Sequence, residues 1–405
     1  MPIPPLIYLD RYCNEGTRTY SIHADYSEAE VKYRPNADHP NFEVAVYEVP
    51  KKQMLVYRTN PSQTLVSKYL GDNRVAFCIH PQMLEYGKDD PYIRRTLSMG
   101  ARTTGIPVAP SSSTRTLYVL DHKAPHALKV HFPFRISRYG RKMRHEVLEQ
   151  AIAVSAELEQ GISQLDDRFA FLREVIGVAH ENLRPNSDRG ENWGYLVRDM
   201  RPFPHVGEDR PLIPGFALYG KDFFDPRKPP LLFELIGDRN PLSYVLEEIM
   251  LPIIRHWVAC FLTFGYLLEP HGQNVLLEID GAMHCRRIVH RDLSIGIDMR
   301  RRRDIGLSDG RLNAYNRMEN SAFHSITYDK FMGGHFFDRI VATCLEKHPS
   351  LSKEDFCRPC REEFARLLPQ YATYFPSTVW YFSEVRDRYN KPLYQDTGIS
   401  PEWRP

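Results

Sequence analysis

Residues 269–292 read EPHGQNVLLEIDGAMHCRRIVHRD, and the reading of this stretch decides the fold. A loop carrying His271, Gln273 and Asn274 is followed by two β-rich runs, 276–279 and 287–289, that flank Gly281 and predict a hairpin. The hairpin returns the chain to Arg291-Asp292, so loop and aspartate are expected side by side. An Asn carbonyl and an Asp carboxylate are hard oxygen donors of the kind magnesium takes, with phosphate oxygens completing its shell. His271 is placed to hydrogen-bond a phosphate or a reacting carboxylate. A His-Gly-Gln-Asn turn standing alone reads as an ordinary loop; the aspartate at hairpin spacing is what makes it specific.

Working outward, 243–264 carries Val245, Leu246, Ile249, Ile253, Ile254, Val258 and Leu262 on one broad face, a helix that Pro252 kinks or restarts. Upstream, 42–47 and 54–57 read as strands around a Pro-Lys-Lys turn, and 116–132 reads as a second hairpin. Apolar residues among glutamates predict a long amphipathic helix over 145–165. The Pro-, Gly- and Asp-rich stretch 182–230 reads as long loops or a seam, and the part after about 328 as helical. Strands first and helices last argue α+β.

Two further segments concentrate anion-binding groups. Ser111-Ser112-Ser113-Thr114-Arg115-Thr116 places hydroxyls and a guanidinium on a turn before a strand, where turn N–H groups and an Arg fork can hold phosphate oxygens. The competing reading is a polar surface turn. Lys129 then stands in the otherwise apolar run Ala127-Leu128-Lys129-Val130, with Arg141 twelve residues on. It either reaches the same anion or snorkels from an edge strand. The surrounding basic cluster, Arg138, Arg141, Lys142 and Arg144, reads equally as a solvated helix start.

Bulk properties bound the rest. At 405 residues, 42% hydrophobic and 26% charged, the chain has the composition of a globular protein of two or three subdomains. A formal net charge of +2 provides no bulk field toward nucleic acid or anionic membrane. No apolar run approaches the roughly 18 residues of a membrane span. The start, MPIPPLIYLDRYCNEG, has no basic region of the signal-peptide type. Seven scattered cysteines fit a reducing compartment. The expectation is a cytoplasmic protein without nucleic-acid or membrane partners.

In this order, the three segments resemble the fingerprint of the NRPS-independent siderophore synthetases, the aerobactin-synthetase family. The family's Ser-x-Arg-Thr turn is matched by Ser113 to Thr116, and its strand lysine and following arginine by Lys129 and Arg141. Its His-Gly-Gln-Asn loop is matched by His271 to Asn274 with Glu269 ahead, and its Arg-Asp turn by Arg291-Asp292. His80-Pro81-Gln82 echoes a family His-Pro-Trp-Gln segment, and Tyr195-Leu196-Val197-Arg198 resembles a family strand. The resemblance covers roughly 75–345. It departs after Asp292, where Leu-Ser-Ile-Gly-Ile replaces an aromatic-x-Gly, and in the family's longer N-terminal part, which is expected to be reduced here.

The resemblance implies a hand-shaped fold: a reduced β-rich thumb at 1–75, fingers at 76–185, and a helical, loosely kinase-like palm at 186–405. It implies an ATP- and Mg2+-dependent ligase of siderophore or related natural-product biosynthesis that adenylates a carboxylic acid, such as a polycarboxylate, and joins it to an amine or hydroxyl. It implies small-molecule substrates and a possible homodimer. The nucleotide would meet Ser113, Arg115, Thr116, Lys129, Arg141, His271, Gln273, Asn274 and Asp292, with Lys129, Arg141 and His271 the catalytic members. Asn274, Asp292 and Glu269 would hold the metal.

Three rival readings frame this expectation. His290-Arg291-Asp292-Leu293 invites a protein-kinase assignment, but Ile297 stands where the kinase loop needs Asn, and there is no Gly-rich loop or Asp-Phe-Gly. Cys357 and Cys360, with Cys344 and His348 nearest, do not match a zinc-finger spacing. The basic run 300–303 reads as a solvated stretch or as a site for an acidic substrate or partner. A degenerate synthetase fold serving as a binding or scaffold protein stays open.

Overall fold

The computed structural model describes residues 5–14, 27–37, 39–121, 123–136, 139–183, 193–307, 312, 317–318, 321–386 and 392–405. Its frame is a nine-stranded antiparallel sheet. In chain order the elements are β1 Phe42–Pro50, β2 Met54–Arg58, β3 Arg74–Ile79, β4 Ala101–Arg102, β5 Ile106–Pro110, β6 Thr116–Val119 and β7 His126–Val130. The hairpin β8 Phe132–Ile136 and β9 Tyr139–Arg141 and the short β10 Phe169–Phe171 follow. Strands β11 Glu174–His180 and β12 Gly194–Asp199 then close the sheet, whose order is β2-β11-β12-β7-β6-β5-β1-β3, with β4 on β1.

The register assigns side chains to faces. Thr116, Lys129 and Leu196 stand opposite one another across β6, β7 and β12. Two residues along, Ala127, Arg198 and Glu174 repeat the alignment on the same face, because the strand period is two. The opposite face buries Leu128, Val130, Val197, Ile176 and Val178 in a core of its own. Lys129 is thus on an interior strand, and the edge-strand reading is corrected.

The long helix His145–Gly161 joins the two halves of the molecule. Leu148 and Ile152 pack on the sheet beside Leu196, while Val154 and Leu158 enter the larger second core. That core is built by the helix Leu251–Phe264 and the helices beyond residue 322. The expected helix over 243–264 is present as a π-helical stretch Tyr244–Met250 continuing into Leu251–Phe264; Pro252, just past the junction, donates no helical bond, and the Glu247 and Glu248 carbonyls one turn back accept from Arg168 at 2.8 and 3.0 Å. It stops at Gly265, which has φ +69°; a Cβ there would stand 2.9 Å from the Asp298 carbonyl.

Against this core lies a second, four-stranded sheet, ordered Phe169–Phe171, Cys285–His290, Val275–Ile279, Leu212–Pro214. Its central pair is the hairpin expected from 276–279 and 287–289, and Asp280 shapes the turn by accepting from the Ala282 and His284 amides.

Several expectations change. Boundaries at 75/76 and 185/186 both fall inside the large sheet: β1 and β2 come from the first expected segment, and β12 from the third. The 182–230 stretch, expected from its composition as long loops or a seam, contains the interior strand β12, whose six residues are all buried; the family resemblance of 195–198 pointed to it, while the surrounding Pro, Gly and Asp hide it from a compositional reading. The C-terminal part is helical only to Leu367 and ends in the hairpin Trp380–Arg386 and Pro392–Asp396. Cys344, Cys357 and Cys360 are buried apolar members of the second core. Among the described residues no helix is long and apolar enough to cross a membrane.

Trp257 is fully buried, stacked on Phe261 at 5.8 Å and edge-on to Tyr328 at 5.3 Å. Trp257→Ala should therefore cost about 3–5 kcal/mol, read as a lower denaturation midpoint, and an unchanged midpoint would refute this account of the second core.

Candidate active site

The two chemistry-bearing regions meet at one contact. Lys129, 4% exposed on β7, donates from Nζ to Asp292 Oδ1 at 2.5 Å across 163 residues of chain. Asp292 follows the second-sheet hairpin and adopts φ +72°, a left-handed conformation that an aspartate tolerates better than most residues. Its side chain is 34% exposed, so one side remains open to a ligand. Burial disfavours the Asp292 carboxylate, yet Lys129, Arg198 and Arg115 outweigh burial and hold its pKa well below the usual range.

The hydroxyl turn is organised from within. Ser113 Oγ accepts from the Thr116 amide at 3.2 Å and pairs with Ser111 Oγ at 2.9 Å. Thr114 takes φ +67°, and the Ser111 amide donates to the Thr116 carbonyl at 2.8 Å. The turn thereby aims Arg115 at the end of β9, where its guanidinium donates to the Arg141 carbonyl at 3.2 Å. Burial first, then the neighbouring charge of Arg141, lower the Arg115 pKa to about 9, which still leaves it cationic at neutral pH. Arg138 of the expected basic cluster lies outside the described residues.

The His271–Asn274 loop is one tight turn, with the Asn274 amide donating to the His271 carbonyl at 2.9 Å. Gly272 is required: a Cβ there would stand 2.5 Å from the Tyr219 hydroxyl and 2.9 Å from the Phe216 amide. His271 Nδ1 accepts from the Gln273 amide at 3.2 Å, so the neutral ring carries its proton on Nε2. Burial, with Arg291 and Arg141 nearby, lowers its pKa to about 4 despite Asp292. It is therefore a neutral N–H donor at pH 7. Burial and the Asp292 charge push the Glu269 carboxyl up to about 8, with Lys129 and Arg141 opposing.

Every residue expected at the site is thus tied to this region: Ser113, Arg115, Thr116, Lys129 and Arg141 from one side, Glu269, His271, Gln273, Asn274 and Asp292 from the other. The sides are bonded a second time, because Gln273 Nε2 donates to Ser112 Oγ at 3.0 Å. The donor set suits a divalent cation. Asp292 supplies a carboxylate and Asn274 a carbonyl, oxygen donors of the kind such a cation takes, while among the described residues no three His, Cys, Asp or Glu side chains gather as a metal cluster.

Sequence reasoning missed several members. Arg198 and Glu174, on the Lys129 face, form a buried ion pair at 2.6 Å, and Glu174 Oε2 has no hydrogen-bond partner among the described residues. Alternation along β12 would have placed Arg198 there, had its facing strand been known. Asp10, on the N-terminal helix Leu6–Tyr12, is completely buried and accepts from Ser112, Tyr118 and Arg291. A lone carboxylate in the apolar run Leu6-Ile7-Tyr8-Leu9 was its only signal. His80, in contrast, caps the helix Pro81–Tyr86 through its Nδ1 and is enclosed by Tyr33, Phe42 and Phe132, a structural role.

Residues 25–220 match the model of the IucA / IucC family. The fold is similar to that of petrobactin biosynthesis protein AsbB from Bacillus anthracis str. Sterne, with TM-score 0.71 and 15% identity over 92% of this chain and 69% of that one. It is similar to ATP-bound aerobactin synthetase IucA from a hypervirulent pathotype of Klebsiella pneumoniae, with TM-score 0.66 and 14% identity over 85% of this chain and 65% of that one. Aerobactin synthetase IucC from the same source gives TM-score 0.67 and 12% identity over 86% of this chain and 66% of its own. At these identities the likeness is one of fold, and this chain spans about two thirds of each of those chains. No curated protein matches the sequence.

The half-buried Glu269 carboxyl makes stability depend on pH in a defined direction. Its pKa is raised from 4.5 to about 8, so between those values the folded protein keeps a proton that the unfolded chain releases, and stability falls as pH rises through the window. In metal-free buffer Glu269→Gln should match wild type in melting temperature near pH 4.5 and exceed it by several degrees at pH 8. A difference that stays flat across the window would rule out a half-buried, protonated Glu269.

Proposed function

We propose, from the match of residues 25–220 to the IucA / IucC family model, that this chain is an ATP-dependent synthetase that activates a carboxylic acid and condenses it with an amine or hydroxyl in siderophore or related natural-product biosynthesis. The observation that carries the reading is the Lys129–Asp292 contact, which joins the strand beside the cation-rich turn to the end of the hairpin that follows the oxygen-donor loop.

In the first step, a carboxylate oxygen of the acid attacks the α-phosphorus of ATP and pyrophosphate leaves; in the second, the amine or hydroxyl attacks the acyl carbon and AMP leaves. Neither step needs an enzyme nucleophile. Cys13, Cys78, Cys260 and Cys285 fit this, since burial raises each thiol to about 12 or beyond. Ser113, Arg115 and Thr116 serve the phosphates, and Lys129 and Arg141 stand where the acid carboxylate and the departing pyrophosphate concentrate negative charge. His271, neutral with its proton on Nε2, donates to a developing anionic oxygen without contributing net charge. Gln273, tethered through Ser112, fixes the loop toward the turn. Magnesium held by Asn274, Asp292 and Glu269 would neutralise phosphate charge and raise the leaving ability of pyrophosphate. In this reading the large sheet corresponds to fingers and the helical half to a palm, and polycarboxylates such as citrate are the acids to try first.

Purified protein with MgATP should release pyrophosphate only when a suitable acid from a panel of mono- and polycarboxylates is added. If no acid elicits release, a binding or scaffold role replaces the synthetase reading. Asp292→Asn should reduce acid-dependent turnover by about 100-fold or more while the folded circular dichroism spectrum persists. Turnover near the wild-type rate would remove Asp292 from the mechanism.

A further inference from the structure

We infer that Asp10 of the N-terminal helix is a positioning residue for the reaction site, acting through Arg291 on both the His271–Asn274 loop and Asp292; this rests on the synthetase reading for its kinetic consequence but not for its geometry. Asp10 lies outside the family match at 25–220 and distant in sequence from every expected site residue.

The carboxylate is fully enclosed and fully used. Oδ1 accepts from Ser112 Oγ at 2.9 Å and from Arg291 Nη2 at 3.0 Å, and Oδ2 accepts from the Tyr118 hydroxyl at 2.6 Å. Arg291 Nη1 also donates to the Tyr118 hydroxyl, at 2.9 Å, so the three groups form a closed ring. Arg291 in turn holds the loop at two points: its Nε donates to the Gln273 carbonyl at 2.6 Å, and its amide to the Asn274 carbonyl at 2.9 Å. Ser112, the other ligand of Asp10, accepts from the Gln273 side chain. Asp10 is therefore bonded on one side to the hydroxyl turn and on the other to the arginine adjoining Asp292.

The helix is fixed where this demand arises. Leu6 and Ile7 pack on a small apolar cluster with Tyr118 and Ala127 from the large sheet and Leu212, Leu276 and Val289 from the second sheet. Arg11 pins the following turn by donating to the Pro35 carbonyl at 2.8 Å. A buried guanidinium needs an anion, and a strong one stands next in the chain at Asp292. With Asp10 present, Arg291 is satisfied away from the cleft, and Asp292 is left to Lys129 and a ligand. Without that charge, Arg291 competes for Asp292 and releases the Gln273 carbonyl.

The test uses the full chain with Asp10→Asn. Expected are a folded protein, faster hydrogen exchange confined to amides 271–275, and a kcat for acid-dependent pyrophosphate release lower by about tenfold or more with KM for ATP changed by less than about threefold. A folded variant with wild-type exchange at 271–275 and kcat within about twofold of wild type would overturn the inference. Should the variant fail to fold, Arg291→Lys decides, because it keeps the charge but loses the fork that joins Asp10 to the Gln273 carbonyl: it should speed exchange at 271–275 and lower kcat, and wild-type values of both overturn the inference. If wild-type protein releases no pyrophosphate, the synthetase reading fails, and the exchange measurement alone decides for or against Asp10.

Discussion

A lysine ammonium that is 4% exposed, on an interior strand, held by an aspartate from another sheet is the constraint on which the site depends. Burying Lys129 costs solvation of its charge, and burial lowers its pKa accordingly. The cost is bearable because Asp292 supplies an opposite charge at 2.5 Å. Pairs of this kind add little net stability, since desolvation offsets their attraction. What the pair contributes is position: it requires the hairpin that carries Asp292 to approach the face of β7 that carries Lys129. The same face bears Thr116 and Arg198, so the approach brings the cationic surface of the large sheet against the oxygen donors of the loop.

How much of this was legible follows from how local each signal is. The His271–Asn274 loop, its hairpin and Asp292 lie within 24 residues of sequence, and the hairpin between them is present as read. The Ser113–Thr116 turn and the Lys129 hairpin partner were legible for the same reason, since Thr116 and Lys129 pair directly. The edge-or-interior question for Lys129 was not, because β12, which covers its other side, comes some 65 residues later in a Pro- and Gly-rich setting. Likewise β2 pairs with β11 across more than a hundred residues, which no composition shift announces. Asp10 was least legible, because its partners lie 102, 108 and 281 residues away.

The electrostatics carry their own argument about the ligand. Arg115, Lys129, Arg141 and Arg198 crowd one side of the cleft, and Arg141 is one of the causes that lower Arg115. Glu174 answers Arg198, and Asp292 answers Lys129, each within hydrogen-bond distance. Arg115 has a carbonyl and a thioether as its side-chain acceptors, the Arg141 carbonyl and Met143 Sδ, neither of which is an anion. A site arranged in this way holds cationic charge in excess of its carboxylates on the sheet side and acidic groups on the loop side. A polyanion accompanied by a divalent cation satisfies both sides at once; a neutral ligand satisfies neither, and a purely cationic one satisfies the loop side alone.

The same charges bear on why turnover, and not only binding, is the reading to test. An anion bound merely to relieve cation crowding would gain the same energy before and after reaction, which lowers KM without accelerating chemistry. Acceleration requires groups whose interaction strengthens as charge moves. In the adenylation proposed above, negative charge moves from the attacking carboxylate oxygen onto the bridging oxygen that leaves with pyrophosphate. The donors here are fixed in advance: Arg115 by the Arg141 carbonyl, His271 by the Gln273 amide, and the loop by Arg291. Fixed donors need no reorganisation when the charge arrives, and that is the condition under which electrostatic stabilisation favours the transition state over the bound substrate.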